Sequence, residues 1–184
     1  MIKTGMVKSE IEGVLSGKGD FVQIDYLTRF LKEPLTMDMK KFVFLKLAVL
    51  YEKTSMLKEA AKNYNNAAMV SIAFSEKINH YIKEAELYIK ADDFEKSDEA
   101  MKKAGAQANS TEKDEIYFTI KEFYKRQAEA YEKNLKRANS ARVYEKLLEM
   151  KISDSERKEI KEKLLEIYDK LGKTKEYIIL KKGL

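Results

Sequence analysis

The chain has no cysteine, no tryptophan, one proline, one histidine and seven glycines among 184 residues. Without cysteine there are no disulfides, thiolate metal sites, iron–sulfur clusters or cysteine nucleophiles. One histidine excludes every site that needs two imidazoles. The scarcity of proline and glycine argues against a sandwich or barrel, which spends many residues on turns. Long apolar runs are also missing. The longest uncharged stretch, Asn63–Ser75, has thirteen residues, short of the roughly 18–20 that a membrane span requires. Met1–Gly13 holds Lys3, Lys8, Glu10 and Glu12 and no apolar core. No signal peptide and a cytoplasmic location are therefore expected.

What is present is apolar material for a core and an abundance of charge. Apolar residues make up 44% and charged residues 36%, enough for a chain of this size to bury roughly 70% of its unfolded surface. Thirty-six basic against 31 acidic residues leave +5. The surplus is spread out. Residues 1–35 sum to zero, 36–71 to +3, 72–110 to −2, 111–152 to +2 and 153–184 to +2. No segment is a basic block, so nucleic acid is not the expected partner.

Apolar residues recur at helical spacing along nearly the whole chain. Three capping boxes are read from Ser9 with Glu12, Asp20 with Gln23, and Ser153 with Glu156. Gly17 and Gly19 separate two short helices, and Pro34 closes the second. Eight further helices are expected at about 37–54, 57–71, 75–91, 94–108, 112–134, 137–150, 155–171 and 174–182.

These helices rhyme in pairs. Tyr51, Tyr88, Tyr131 and Tyr168 end the first helix of each pair, spaced 37, 43 and 37 residues apart. Three residues before the first three of these tyrosines stand Ala48, Ala85 and Ala128, and seven before them Phe44, Tyr81 and Tyr124. Nine residues after come Ala60, Ser97 and Ser140, thirteen after come Tyr64, Met101 and Tyr144, and sixteen after come Ala67, Ala104 and Leu147. Small residues let two helices approach, and large ones fill the space around the contact. A hairpin of this kind cannot bury its apolar face alone and must stack.

The pattern resembles the tetratricopeptide-repeat family over about residues 37–184. The spacing exceeds the family's usual thirty-four, and the longer helices are similar to those of the SNAP-type adaptors of vesicle fusion. The fourth pair departs from the pattern at Lys161, Leu165, Tyr177 and Lys181. The resemblance implies an all-α, right-handed α-solenoid of stacked antiparallel helix hairpins. Its parts would be an N-terminal helical hairpin, residues 1–35, and one continuous domain, 36–184. That domain would hold four hairpins at about 37–71, 75–108, 112–150 and 155–182.

The resemblance also places the first helix of each hairpin along a concave groove. Carried over, the acidic end of that groove comprises Glu122, Lys125, Glu129, Glu132, Glu159, Glu162, Glu166 and Asp169, with Lys133 and Lys170. Its apolar end comprises Phe42, Leu45, Val49, Ile82 and Ile89. The family's variant that holds the carboxylate of a chaperone tail needs lysine and asparagine where this chain has Leu45 and Val49, so that function is rejected. The acidic row is either a solvated helix face with pairs such as Glu129–Lys133 and Glu166–Lys170, or a docking surface for a basic peptide or helix. Phe42, Leu45 and Val49 are expected to lie under an N-terminal hairpin of residues 6–33 or to receive a partner helix.

Other motifs carry little. Gly13–Gly19 is one residue short of a phosphate loop and lacks its Ser/Thr. His80 has no second imidazole and no Glu-x-x-His partner. No catalytic, cofactor or metal site is expected, and the chain is read as a non-catalytic scaffold for another protein, with a homo-oligomer also open. The rival reading is a nucleic-acid or anionic-membrane adaptor using Lys136, Arg137, Arg142, Lys146 and Lys151 on the convex side.

Overall fold

The computed structural model describes residues 2–183. Among these, the chain forms ten α-helices and no strand: α1 (Lys8–Leu15), α2 (Asp20–Phe30), α3 (Met37–Lys53), α4 (Leu57–Val70), α5 (Phe74–Lys90), α6 (Phe94–Gln107), α7 (Ser110–Lys133), α8 (Arg137–Glu149), α9 (Asp154–Leu171) and α10 (Thr174–Lys182). No helix among the described residues is long and apolar enough to cross a membrane. The chain divides into two compact units, Met1–Ile116 and Tyr117–Leu184, with the division inside α7. Residues 1–35 thus belong to the same unit as α3–α6.

In the first unit successive helices from α2 onward pack on one another: α2 on α3, α3 on α4, α4 on α5 and α5 on α6. Short connections between packed helices make neighbours antiparallel. α3 is apolar on two sides because it lies between two clusters. Val43, Leu47 and Leu50 meet Ile11 and Leu15 of α1 and Leu27 and Phe30 of α2. Ala48 turns the other way, to Ala60, Ala61 and Tyr64 of α4 and Leu87 and Tyr88 of α5. The stripe that the N-terminal hairpin covers is therefore 43–47–50, with i, i+4, i+7 spacing, and not 42–45–49. Phe42 sits at the edge of the first cluster, Leu45 joins the second, and Val49 is 56% exposed.

In the second unit α8 packs on α9 and α9 on α10. The hydroxyl of Ser140 in α8 donates to the carbonyl of Ala128 in α7. The small residues at the helix contacts are closed off from solvent. Ala48, Ala60, Ala67, Ala85, Ala104, Ala128, Ser97 and Ser140 are all fully buried. No side chain longer than theirs would fit without moving a helix.

Four turns share one backbone solution. After Tyr51, Tyr88, Tyr131 and Tyr168 the chain leaves its helix through a left-handed residue: Ser55 (φ +60°), Asp92 (φ +56°), Leu135 (φ +57°) and Gly172 (φ +67°). The next backbone N–H donates back to the tyrosine carbonyl, from Met56, Asp93, Lys136 and Lys173, at 2.8–2.9 Å. The N–H of the left-handed residue itself donates to the carbonyl three before it, on Glu52, Ile89, Glu132 and Asp169. This is the Schellman arrangement, which satisfies carbonyls that the helix end would otherwise orphan.

The N-terminal caps differ from two of the three expected. α1 starts at Lys8, and the Glu10 carboxylate accepts from the Val7 N–H in place of a Ser9–Glu12 box. α2 is preceded by Gly19, and the Gln23 amide donates to the Lys18 carbonyl in place of an Asp20 box. The Ser153–Glu156 box forms in full. Asn109 and Glu112 make another, each side chain accepting from the other's N–H.

Candidate partner-binding surface

The acidic positions read from the sequence all fall in the second unit, on α7 and α9. Residues 122, 125, 129 and 132 recur at three and four along α7, and 159, 162, 166 and 169 do so along α9. Each set therefore shares one helix face. Tyr144 of α8, 3% exposed, lies in the floor.

Two cavities open on this surface. One, of about 280 Å³, is lined by Glu122, Lys125 and Glu129 of α7, Tyr144 of α8, and Glu156, Glu159, Ile160 and Lys163 of α9. The other, of about 370 Å³, is lined by Glu132, Leu135, Arg137, Ser140, Lys163, Glu166, Ile167 and Lys170. Lys163 belongs to both. Six of the eight acidic-row residues thus meet at a cavity wall. Glu162 and Asp169 are exposed on α9 and line neither cavity.

Four residues of the first cavity, Tyr144, Glu156, Ile160 and Lys163, lie outside the surface that the sequence indicates. Glu156 is its electrostatic hub. One carboxylate oxygen takes Lys125 Nζ at 2.6 Å and Lys121 Nζ at 2.9 Å, while the other caps α9 through the Ser153 N–H at 2.8 Å. The Lys125 hydrogen bond, then the Ser153 N–H and Lys121, hold its carboxyl far below the usual carboxylate range. Burial opposes the charge of Lys125, but bonds to Glu156 and to Glu122 (3.1 Å) outweigh it and keep the ammonium above its ordinary pKa. The Ser153–Glu156 cap was legible in the sequence; the second use of the same carboxylate was not, because Lys121 and Lys125 are more than thirty residues away.

Lys163 pairs with Glu159 at 3.3 Å and lies 5.6 Å from the centre of the Tyr144 ring. Burial, then the carboxylates of Glu132, Glu129 and Glu159, push the Tyr144 phenol up and keep it protonated. Its hydroxyl is buried and makes no hydrogen bond of regular geometry, although Glu132 is near. Each lysine in the wall of the smaller cavity is thus matched by an acid. Glu129, Glu132, Glu162 and Asp169 have no ion-pair partner among the described residues.

The apolar row fares differently. Phe42 is half-buried, with Lys8 and Lys46 ammonium groups 5.8 and 5.6 Å from its ring. Leu45 and Ile82 are partly buried, and Val49 is exposed. Ile89 is 1% exposed and has no surface to offer a partner. Leu87, Tyr88 and Ile89 are all buried. Successive residues point about 100° apart, so the end of α5 is enclosed on most of its circumference.

Arg137, Arg142 and Lys146 of α8 and Lys151 just beyond it differ in their surroundings. Arg137 lines the larger cavity beside Glu132 and Glu166. Lys146 pairs with Glu149. Arg142 and Lys151 are exposed. In the first unit, His80 lies 6.3 Å from the Tyr64 ring, and burial pushes its imidazole pKa down. Compared with known families and with curated proteins, the chain matches no family model and no curated sequence.

Proposed function

We propose that the chain is a tetratricopeptide-like, right-handed solenoid of helix hairpins that works as a non-catalytic adaptor in the cytoplasm. Its second unit holds a lysine- or arginine-bearing segment of another protein against the acidic faces of α7 and α9. The repeat reading is supported by the four identical turns after Tyr51, Tyr88, Tyr131 and Tyr168 and by the closed small-residue contacts.

The observation that carries the function is the imbalance of pairing. Glu129, Glu132, Glu162 and Asp169 have no ion-pair partner among the described residues, while Lys125 and Lys163 are already taken by Glu122, Glu156 and Glu159. A surface with spare carboxylates attracts positive segments and repels negative ones. Only this local cluster counts, because the chain's overall +5 is screened beyond about 8 Å at physiological salt.

The test is capture of partners from an extract of the cells that make the protein, with identification by mass spectrometry. Changing Glu129 and Glu166 together to lysine lowers capture more than tenfold, about 1.4 kcal/mol, with little change in the thermal midpoint. Undiminished capture by that variant would place the partner elsewhere.

A further inference from the structure

The uncharged stretch Asn63–Ser75 ends α4, passes through a three-residue loop and opens α5. It does not end in the core. Met69 is 67% exposed, Ile72 92% and Phe74 65%, and Met37, the first residue of α3, is 61% exposed. These four side chains gather at one end of the first unit. α3, α4 and α5 pack in sequence, so the start of α3, the end of α4 and the start of α5 lie together. Lys41 Nζ, one turn into α3, meets Glu76 Oε2, in the first turn of α5, at 2.8 Å.

The loop is held in place. Ser71 is buried, its hydroxyl donates to the Ala67 carbonyl at 2.9 Å, and its N–H donates to the same oxygen at 3.1 Å. Ile72 is thus carried outward by an anchored neighbour. Large apolar side chains clustered in water at one apex mark a contact surface.

The surrounding charge selects the contact. The first-turn acids of α3 and α5 are both neutralised, Asp38 by Lys8 at 2.7 Å and Glu76 by Lys41. Lys40 and Lys77 have no ion-pair partner among the described residues. The Lys77 ammonium stands 5.7 Å from the centre of the Phe74 ring. The apex is therefore apolar at its tip and cationic at its shoulder. It is made of two helix starts, one helix end and a loop, and its apolar side chains are exposed.

We propose that this apex docks on an anionic lipid bilayer. Met37, Met69, Ile72 and Phe74 enter the boundary between headgroups and acyl chains, and Lys40 and Lys77 meet lipid phosphates. The contact is peripheral and independent of the acidic surface of the second unit.

Sedimentation of the full chain with phosphatidylcholine vesicles, with and without phosphatidylserine, tests this. Phosphatidylserine vesicles carry the protein down, and pure phosphatidylcholine vesicles carry at least tenfold less. Ile72→Ser with Phe74→Ser lowers binding at least tenfold, as does Lys40→Glu with Lys77→Glu. Variants at these four positions keep the parent's circular dichroism, because Ile72 and Phe74 project to solvent and Lys40 and Lys77 are only partly buried. The chain has no tryptophan, so Phe74→Trp introduces a single reporter whose emission moves to shorter wavelength on insertion. Absence of vesicle binding overturns the proposal. So does binding that survives Ile72→Ser with Phe74→Ser. A wild-type dimer that this pair converts to a monomer, with no vesicle binding by either, would assign the apex to a second copy of the chain.

Discussion

The backbone N–H of Lys136 donates to the carbonyl of Tyr131 at 2.9 Å across a turn in which Leu135 has φ +57°. A leucine in that conformation brings its Cβ against the following carbonyl, a cost of about 1–2 kcal/mol. Its side chain is 71% exposed, so packing returns little. Leu135→Gly therefore raises stability by about 1 kcal/mol in urea unfolding. Gly172→Ala, at the same place in the turn after Tyr168, lowers it by a similar amount. A Cβ there meets open space, so the loss comes from φ alone. Gly105, inside α6 with open space around it, gives the opposite sign: Gly105→Ala stabilises by about 0.5–1 kcal/mol. Equal effects at Gly105 and Gly172 would refute this account of the turns.

Ser97 and Ser140, each nine residues after a turn tyrosine, are both fully buried and differ in one bond. Ser140 Oγ donates to the Ala128 carbonyl, while Ser97 Oγ is buried without a partner. Ser140→Ala costs about 1 kcal/mol, and Ser97→Ala is neutral or stabilising. Ala60→Leu and Ala104→Leu, at fully buried contacts, overpack by about 1–3 kcal/mol. Ala138→Leu, on the exposed side of α8, does little. Thermal unfolding of the five variants distinguishes these outcomes.

Glu84 and Glu156 give opposite pH slopes. Glu84 is 3% exposed, with one oxygen 2.9 Å from Lys103 Nζ and the other unpartnered. Burial raises its pKa above 4.5 despite Lys103. The folded state then holds the proton longer than the unfolded chain, and this contribution is lost as pH rises through the folded pKa. Glu156 is depressed, chiefly by Lys125, so its contribution is present above 4.5 and lost as the solution is acidified. Stability measured from pH 3 to 8 shows it: Glu84→Gln gains most at neutral pH, and Glu156→Gln loses most there. Parallel curves for the two variants would refute the assignment.

Removing residues 1–35 uncovers Val43, Leu47 and Leu50, which are 0, 2 and 8% exposed in the full chain. Each contributes about 1.5–3 kcal/mol by burial. The shortened chain binds a hydrophobic dye and unfolds at lower urea. An unchanged midpoint would mean that the hairpin contributes nothing to that face.

Much of the helical order was legible, because apolar periodicity and helix punctuation agree. All eight later helices begin and end within two residues of where the sequence put them. Stripes were harder. On α3 the positions 42, 45 and 49 and the positions 43, 47 and 50 both read as apolar, and only the packing of two clusters assigns the second set to the hairpin. The left-handed residues were invisible at Ser55, Asp92 and Leu135, where no glycine announces them. In the acidic surface, spacing along α7 and α9 identified which carboxylates share a face. It could not reveal that Glu156 and Lys163 take part, since their roles depend on partners from another helix or a ring beneath them.

The most direct measurement is a titration of the isotopically labelled protein with a lysine- and arginine-containing peptide, read by amide chemical shifts. A glutamate-containing peptide of equal length and Arg142→Glu with Lys151→Glu serve as controls. The account predicts that the basic peptide alone perturbs residues around Glu122, Glu129, Glu159 and Glu166. It also predicts that added salt reverses the shifts and that Glu129→Lys with Glu166→Lys abolishes them. Shifts confined to the Arg142 and Lys151 side, or binding of the acidic peptide in preference to the basic one, would contradict it.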